Sequence, residues 1–305
     1  MRAPDELDIR LMRELVSPGS FRWDVREPYG EMARRLGIDE ETLRKRMRRA
    51  EKAGILQGMH LIPNPHLIGH ESAALELDVD DEDRKPSVLS QLRLLEGAVF
   101  IVNFLGKRMR PVFYYDGQGA LTRKVELIKS ICGSESGLLL KDRFPACNLK
   151  LSDTDWRIIK TFRKDARRSL PEVAKQVHVS TRTVKRRVAK MTDGNAFFLM
   201  PALAHERSAS TVSSFTVLYP PGVRKEENDA KIRSRLERLV FSNTAGADFS
   251  IFSAIYDNVS QADEDRHWIG AMKEVKQVTL NVVKEFIIVP DWLDDVIGSM
   301  AREAA

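Results

Sequence analysis

The chain has 305 residues, 43% of them apolar and 30% charged, with a formal charge of +5. That mixture suits several small folded units, and no run approaches the roughly 18 apolar residues that a membrane helix needs. Cys132 and Cys147 are too few for a disulfide framework or a zinc site, and the opening MRAPDELDIR lacks a signal-peptide core, so a cytoplasmic protein without metal or cofactor is expected.

Residues 5–16, DELDIRLMRELV, place Leu7, Leu11 and Leu15 at helical spacing. Ser17 to Trp23 reads as a turn-rich surface loop. Tyr29 to Leu36 predicts a short helix. After Gly37-Ile38 a longer one opens at an N-cap, Asp39, and closes at Gly54, a residue suited to the left-handed C′ position. Leu43, Met47 and Ala50 share the apolar face of this helix. At 100° per residue, Glu41, Lys45, Arg48 and Lys52 point the other way, flanked by Arg44 and Arg49. Ile55 to Ile62 reads as a two-stranded wing that ends at Pro63-Asn64-Pro65.

From Ser72 the apolar period becomes two, with Leu75, Leu77 and Val79 alternating with acids, which predicts a half-buried strand. A helix over Pro86 to Leu95, strands over Val99 to Leu105 and Pro111 to Tyr115, a helix carrying Leu121, Val125 and Ile128, and a strand over Leu138 to Phe144 follow. That order is βαββαβ.

The whole arrangement is then written again. Asp153 to Phe162 and Leu170 to Val177 predict two helices, and STRTVKRRVAKMTDGN, Ser180 to Asn195, repeats Asp39 to Gly54 at an offset of 141 residues. Val184, Val188 and Met191 form its apolar stripe. Arg182 and Arg186 point away, flanked by Lys185 and Lys190, with Thr181 just after the cap. Helix, tight turn, second helix is the helix-turn-helix arrangement, whose second helix enters the major groove; small Ala33 and Ala174 allow the close crossing. Between Leu151 and His205 there are twelve Lys or Arg against five Asp or Glu, so positive charge concentrates in this second unit. Ala196 to Pro201 takes the place of the wing. Strands over Thr211 to Tyr219, Val240 to Thr244, Phe249 to Tyr256 and Val278 to Val289, with helices over Ala230 to Leu239 and Gln261 to Val275, repeat the βαββαβ order before a terminal helix over Asp291 to Arg302.

The expected fold class is α+β. Two winged helix-turn-helix domains, residues 1–67 and 148–206, alternate with two ferredoxin-like βαββαβ domains, residues 68–147 and 207–290, ahead of a C-terminal helix over 291–305.

The segments LDIRLMREL at 7–15, EMARRLGIDEETLRKRMRRAEKAGIL at 31–56, SDTDWRIIKTF at 152–162 and EVAKQVHVSTRTVKRRVAKM at 172–191 resemble the Lrp/AsnC (feast/famine) transcription regulators, as two fused copies. The resemblance implies double-stranded DNA as partner, dimer-like packing of the ferredoxin-like (RAM-type) sheets inside one chain with further homo-oligomers open to it, and an amino acid as effector. It places that effector at a glycine-to-aspartate turn. Here the first copy offers Gly106 without an aspartate, and the second offers Gly246 and Asp248.

Arg182, Lys185 and Arg186, with Thr181, are the first candidates for DNA contact, followed by Arg44, Lys45 and Arg48 with Glu41 and Arg49; Lys190 and Arg187 are read as backbone-positioning residues. A different class, the siroheme decarboxylases, looks like the same fused architecture. The strands PVFYYD and FSIFSAIYD hold no histidine for tetrapyrrole chemistry, so no enzymatic activity is expected.

Overall fold

Three helices open the chain, α1 (Glu6–Val16), α2 (Tyr29–Leu36) and α3 (Glu40–Lys52), and the trio returns as α6 (Asp153–Phe162), α7 (Leu170–Val177) and α8 (Thr181–Asp193). The computed structural model describes residues 5–16, 27–203 and 211–301, so the loop expected at Ser17 to Trp23 lies outside the described residues. Both long helices start on a side-chain cap. Asp39 accepts from the Thr42 amide at 2.7 Å, and Ser180 from the Thr183 amide at 3.1 Å. The chain leaves each through a left-handed residue, Gly54 at φ 69° and Asn195 at φ 53°.

After each trio comes one strand, β1 (Leu56–Pro63) or β6 (Phe197–Leu203). The sequence reads a local two-stranded wing here, but the two strands pair with each other, antiparallel, from Leu56 opposite Leu203 to Pro63 opposite Phe197. Proline explains why β1 does not turn back on itself. Pro63 and Pro65 carry no N–H, and buried Asn64 between them donates instead to the carbonyls of Pro145 and Asn195, at 3.0 and 2.9 Å. The ribbon therefore joins the two units, and one hydrophobic core runs through both, from Leu11, Met32 and Leu43 to Ile159, Val173 and Val184.

The first βαββαβ unit is β2 (Glu71–Asp78), α4 (Lys85–Arg93), β3 (Ala98–Phe104), β4 (Arg108–Tyr115), α5 (Gly117–Cys132) and β5 (Leu138–Asp142). The second is β7 (Thr211–Leu218), α9 (Lys225–Arg235), β8 (Leu239–Asn243), β9 (Phe249–Tyr256), α10 (Val259–Gly270) and β10 (Gln277–Ile288), followed by α11 (Asp291–Met300). The strands form one eight-stranded sheet in the order β5-β2-β4-β3-β10-β7-β9-β8. The twelve residues of β10 make the join: Gln277 to Val283 pair with β7, and Val283 to Ile288 pair with β3.

Strand alternation sends Ala73, Leu75 and Leu77 outward under α4 and α5, while Ala74 and Leu140 meet Phe249 and Ile251 of the second unit on the inner side. The helix expected over Ala230 to Leu239 instead spans Lys225–Arg235. Its inward face begins with polar side chains, which apolar periodicity does not register. Lys225 is buried with its ammonium on Asp229 at 2.8 Å and on the Thr244 carbonyl at 2.7 Å.

Gly97 sits at φ +84°, and a Cβ there would strike the Tyr114 carbonyl oxygen. Gly97→Ala is expected to cost about 2 kcal/mol or more, read as a lower urea midpoint; an unchanged midpoint would show that this approach is not tight.

Where the two ends of the sheet curl together, Asp142 on β5 accepts from Asn243 on β8 at 2.8 Å. Burial pushes the Asp142 carboxyl up to about 6, against the pull of Asn243 and Ser72. A raised carboxyl binds its proton more tightly in the folded state, so its contribution to stability is fully present below the ordinary carboxylate range and is lost as pH rises through about 6. Asp142→Asn keeps the acceptor for Asn243. Melts at pH 5 and pH 7.5 are expected to differ less in this variant than in the parent, and an identical difference would remove Asp142 as the titrating group.

Candidate nucleic-acid interface

Each helix-turn-helix is held by the same contacts in both copies. Ala33 of α2 and Ala174 of α7 are buried where the following helix crosses. Arg10 on α1 donates to the Leu36 carbonyl at 3.1 Å, and Arg157 on α6 donates to the Val177 carbonyl at 2.8 Å, each tying its first helix to the end of its second. Leu43 and Met47, or Val184, Val188 and Met191, then anchor the third helix through its buried stripe. The opposite face must point to solvent.

On α8, Thr181, Arg182, Lys185, Arg186 and Lys190 are all exposed. On α3, Glu41, Arg44, Lys45, Arg48 and Arg49 are exposed likewise. Among the described residues, the cations of the α8 ridge make no ion pair within the chain, so their charge is directed outward. The α3 ridge differs. Arg44 lies 2.6 Å from Glu40 and stacks 4.6 Å above the Tyr29 ring, where Arg167 of the second unit also packs, at 4.8 Å. One of its cations is thus already engaged.

Arg187 does not join the ridge. Its Nη1 donates to Ser152 Oγ at 2.8 Å and lies 2.9 Å from Asp155, inside the cap of α6. Its guanidinium is thus held by the α6 cap and not presented with the ridge. At 100° per residue Arg187 falls between the ridge and the stripe, on the side where α6 begins. Arg46, its counterpart on α3, makes the same turn to Asp5, just ahead of α1, and to Asp8 within it. Burial opposes ionisation of Asp155, but the Ser152 hydrogen bonds and the Arg187 guanidinium hold it below the usual carboxylate range. The signal was present in the sequence, because Asp8 and Asp155 match as Arg46 and Arg187 do.

The residues expected around an effector fall in two separate hairpin turns. Gly106, at φ +66°, offers its carbonyl to buried Lys85, whose pKa burial lowers to about 8. Gly246 is buried, and a Cβ there would strike the Phe249 ring. Asp248 is exposed, its carbonyl accepting from the Tyr219 amide at 2.8 Å. A cavity of about 100 Å³ between the inner sheet faces is lined instead by apolar side chains such as Val102, Val212 and Phe286, with Arg110 at its wall.

Cys132 and Cys147 are free and buried, and burial raises the Cys132 thiol to about 11. Among the described residues, no helix is long and apolar enough to cross a membrane, and no group of three or more His, Cys, Asp or Glu converges to hold a metal.

Two helix-turn-helix units alternating with two ferredoxin-like units define the class of protein. Residues 151–192 match the AsnC-type helix-turn-helix domain. The chain is 32% identical over 98 residues to the HTH-type transcriptional regulator LrpA of Mycobacterium tuberculosis, covering 31% of this chain and 61% of that one. It is 34% identical over 71 residues to the regulator Ptr1 of Methanocaldococcus jannaschii, covering 23% and 44%. It spans about half the length of these curated relatives, and the likeness holds over that stretch.

In shape it is similar end to end to the siroheme decarboxylase NirDL, with a TM-score of 0.57, 14% identity and coverage of 97% of this chain and 98% of that one. That match corrects the expectation of no enzymatic activity. The expectation rested on histidines missing from two strands, whereas the complete architecture is one that an enzyme uses.

Proposed function

We propose that this chain is a sequence-specific, double-stranded DNA-binding transcription regulator whose two helix-turn-helix units act as an intramolecular pseudo-dimer. The observation that supports it most is the outward cationic ridge of α8, with no ion pair inside the chain among the described residues, repeated in weaker form on α3. Arg182, Lys185 and Arg186 are proposed to reach base edges and phosphates, with Thr181 and Lys190 on the backbone. The corresponding contacts of the other unit come from Lys45, Arg48 and Arg49, beside Arg44 and Glu41. Because the two helices differ in sequence, the operator need not be a true palindrome. Anisotropy titration of genomic duplex fragments at several salt concentrations tests this. Saturable binding that weakens steeply with salt is the expected result, and flat binding without a salt slope would exclude the proposal.

The end-to-end likeness to NirDL favours a second reading, tetrapyrrole chemistry on the same architecture. A visible absorbance change on adding siroheme, saturating at one equivalent per chain, would support it. No change would count against it.

A further inference from the structure

Behind the second helix-turn-helix, between α6, the segment 163–168 and α11, lies a cavity of about 260 Å³. Lys160, Arg163, Lys164 and Arg168 line it against a single carboxylate, Asp294. Arg168 is also drawn to Asp165, at 4.0 Å, and to Gln176, and Lys164 lies 3.7 Å from Asp294, so the cations of the lining outnumber its carboxylate without all being free. Arg163 is the notable member, because it is only 3% exposed and incompletely satisfied. Its Nη1 donates to the Leu61 carbonyl at 3.0 Å and its Nε lies against the Asp294 carboxylate at 3.0 Å, while Nη2 makes no hydrogen bond.

A buried guanidinium with an unused amino group is costly, and the partner that matches its planar fork best is an oxyanion. His60 on β1 points the same way. Its Nδ1 is buried without a hydrogen bond, and burial, followed by the charge of Arg163 against the pull of Asp294, holds its pKa below the ordinary value.

We propose that this cavity binds a small free oxyanion, a phosphate or a carboxylate, and that the bound anion ties the second helix-turn-helix to the C-terminal helix. The setting gives such binding a route to the rest of the molecule. The Arg163 carbonyl accepts from Leu61 and the Ala166 amide donates to Met59, both on β1, while Leu293 of α11 packs with Phe100 and Tyr114 of the sheet. The anion would sit where helix-turn-helix, inter-unit ribbon and sheet meet. The inference stands apart from the DNA reading, since the site is formed by the chain alone.

The test uses the full chain without DNA, titrated calorimetrically with inorganic phosphate and, separately, with citrate, with chloride at matched ionic strength as control. Saturable binding of phosphate or citrate with a dissociation constant on the order of 1 mM is expected. Lys160→Gln/Lys164→Gln, two exposed positions whose exchange leaves the core untouched, should weaken it at least fivefold. Phosphate and citrate acting no differently from chloride, or binding equally to the double variant, would overturn the proposal. Titration of a duplex separates the remaining source of phosphate. If the double variant loses duplex affinity while neither free anion binds the parent protein, the cavity serves the DNA backbone and the free-anion proposal falls.

Discussion

Replacing Arg182, Lys185 and Arg186 together by alanine is expected to weaken duplex binding by at least about a hundredfold. Each side chain is exposed on α8, and none makes an ion pair within the chain among the described residues, so their loss should leave the fold intact. A base-edge contact from arginine is worth about 1 to 3 kcal/mol, and each lost phosphate contact lowers the slope of log affinity against log salt by about 0.9. The matching variant on α3, Arg44→Ala/Lys45→Ala/Arg48→Ala, should cost less. Arg44 already lies against Glu40 and Tyr29, and Glu41 stands beside it on the same exposed ridge. Equal losses from the two variants would contradict this asymmetry, and affinity unchanged in the α8 variant would remove the assignment of that helix. Circular dichroism of both variants separates lost contact from lost fold.

The second large effect lies inside the sheet. Arg110 on β4 and Glu76 on β2 are 4% and 1% exposed, 2.6 Å apart, and Arg110 also donates to Thr216 of the other unit at 2.6 Å. Burial alone would raise the Glu76 carboxyl, but the Arg110 guanidinium overrides it and holds the group below its usual value. Arg110→Ala leaves the buried Glu76 carboxylate with only the more distant Arg108, at 3.9 Å, and the hydrogen bonds from Thr216 and Asn281, and it removes one of the contacts between the units. A loss of about 3 to 5 kcal/mol is expected, read as a melting temperature lower by roughly 10 °C. Arg110→Ala/Glu76→Ala should recover part of that loss, because the poorly compensated buried charge is gone. Stability falling further in the double variant would mean that the pair acts by packing and not by charge. The sign with pH is also fixed. A depressed carboxyl contributes stability above its ordinary pKa, and the contribution is lost as pH falls through the folded value, opposite to Asp142.

Much of this architecture was legible because it is local. The caps Asp39 and Ser180, the left-handed Gly54 and Asn195 and the apolar stripes of α3 and α8 are each set within one or two turns of helix, so periodicity finds them. Periodicity also separates the exposed ridge from the stripe, though it left Arg187 ambiguous, since a flanking position can turn either way and Asp155 decides it. What escaped depends on distant or polar partners. The β1 strand pairs with β6 in the other repeat, which no local pattern reveals. The start of α9 is packed by Lys225 and Asp229, which a search for apolar spacing passes over. The enzymatic question escaped for another reason: one backbone arrangement can host unlike chemistries, and missing residue types on two strands do not decide among them.

Hydroxyl-radical footprinting on a selected duplex most directly tests whether both ridges are received by one DNA segment. Two protected patches about one helical turn, roughly 34 to 36 Å, apart are expected, with the α8 variant erasing one and leaving the other. A single patch, or protection that survives loss of Arg182, Lys185 and Arg186, would contradict this.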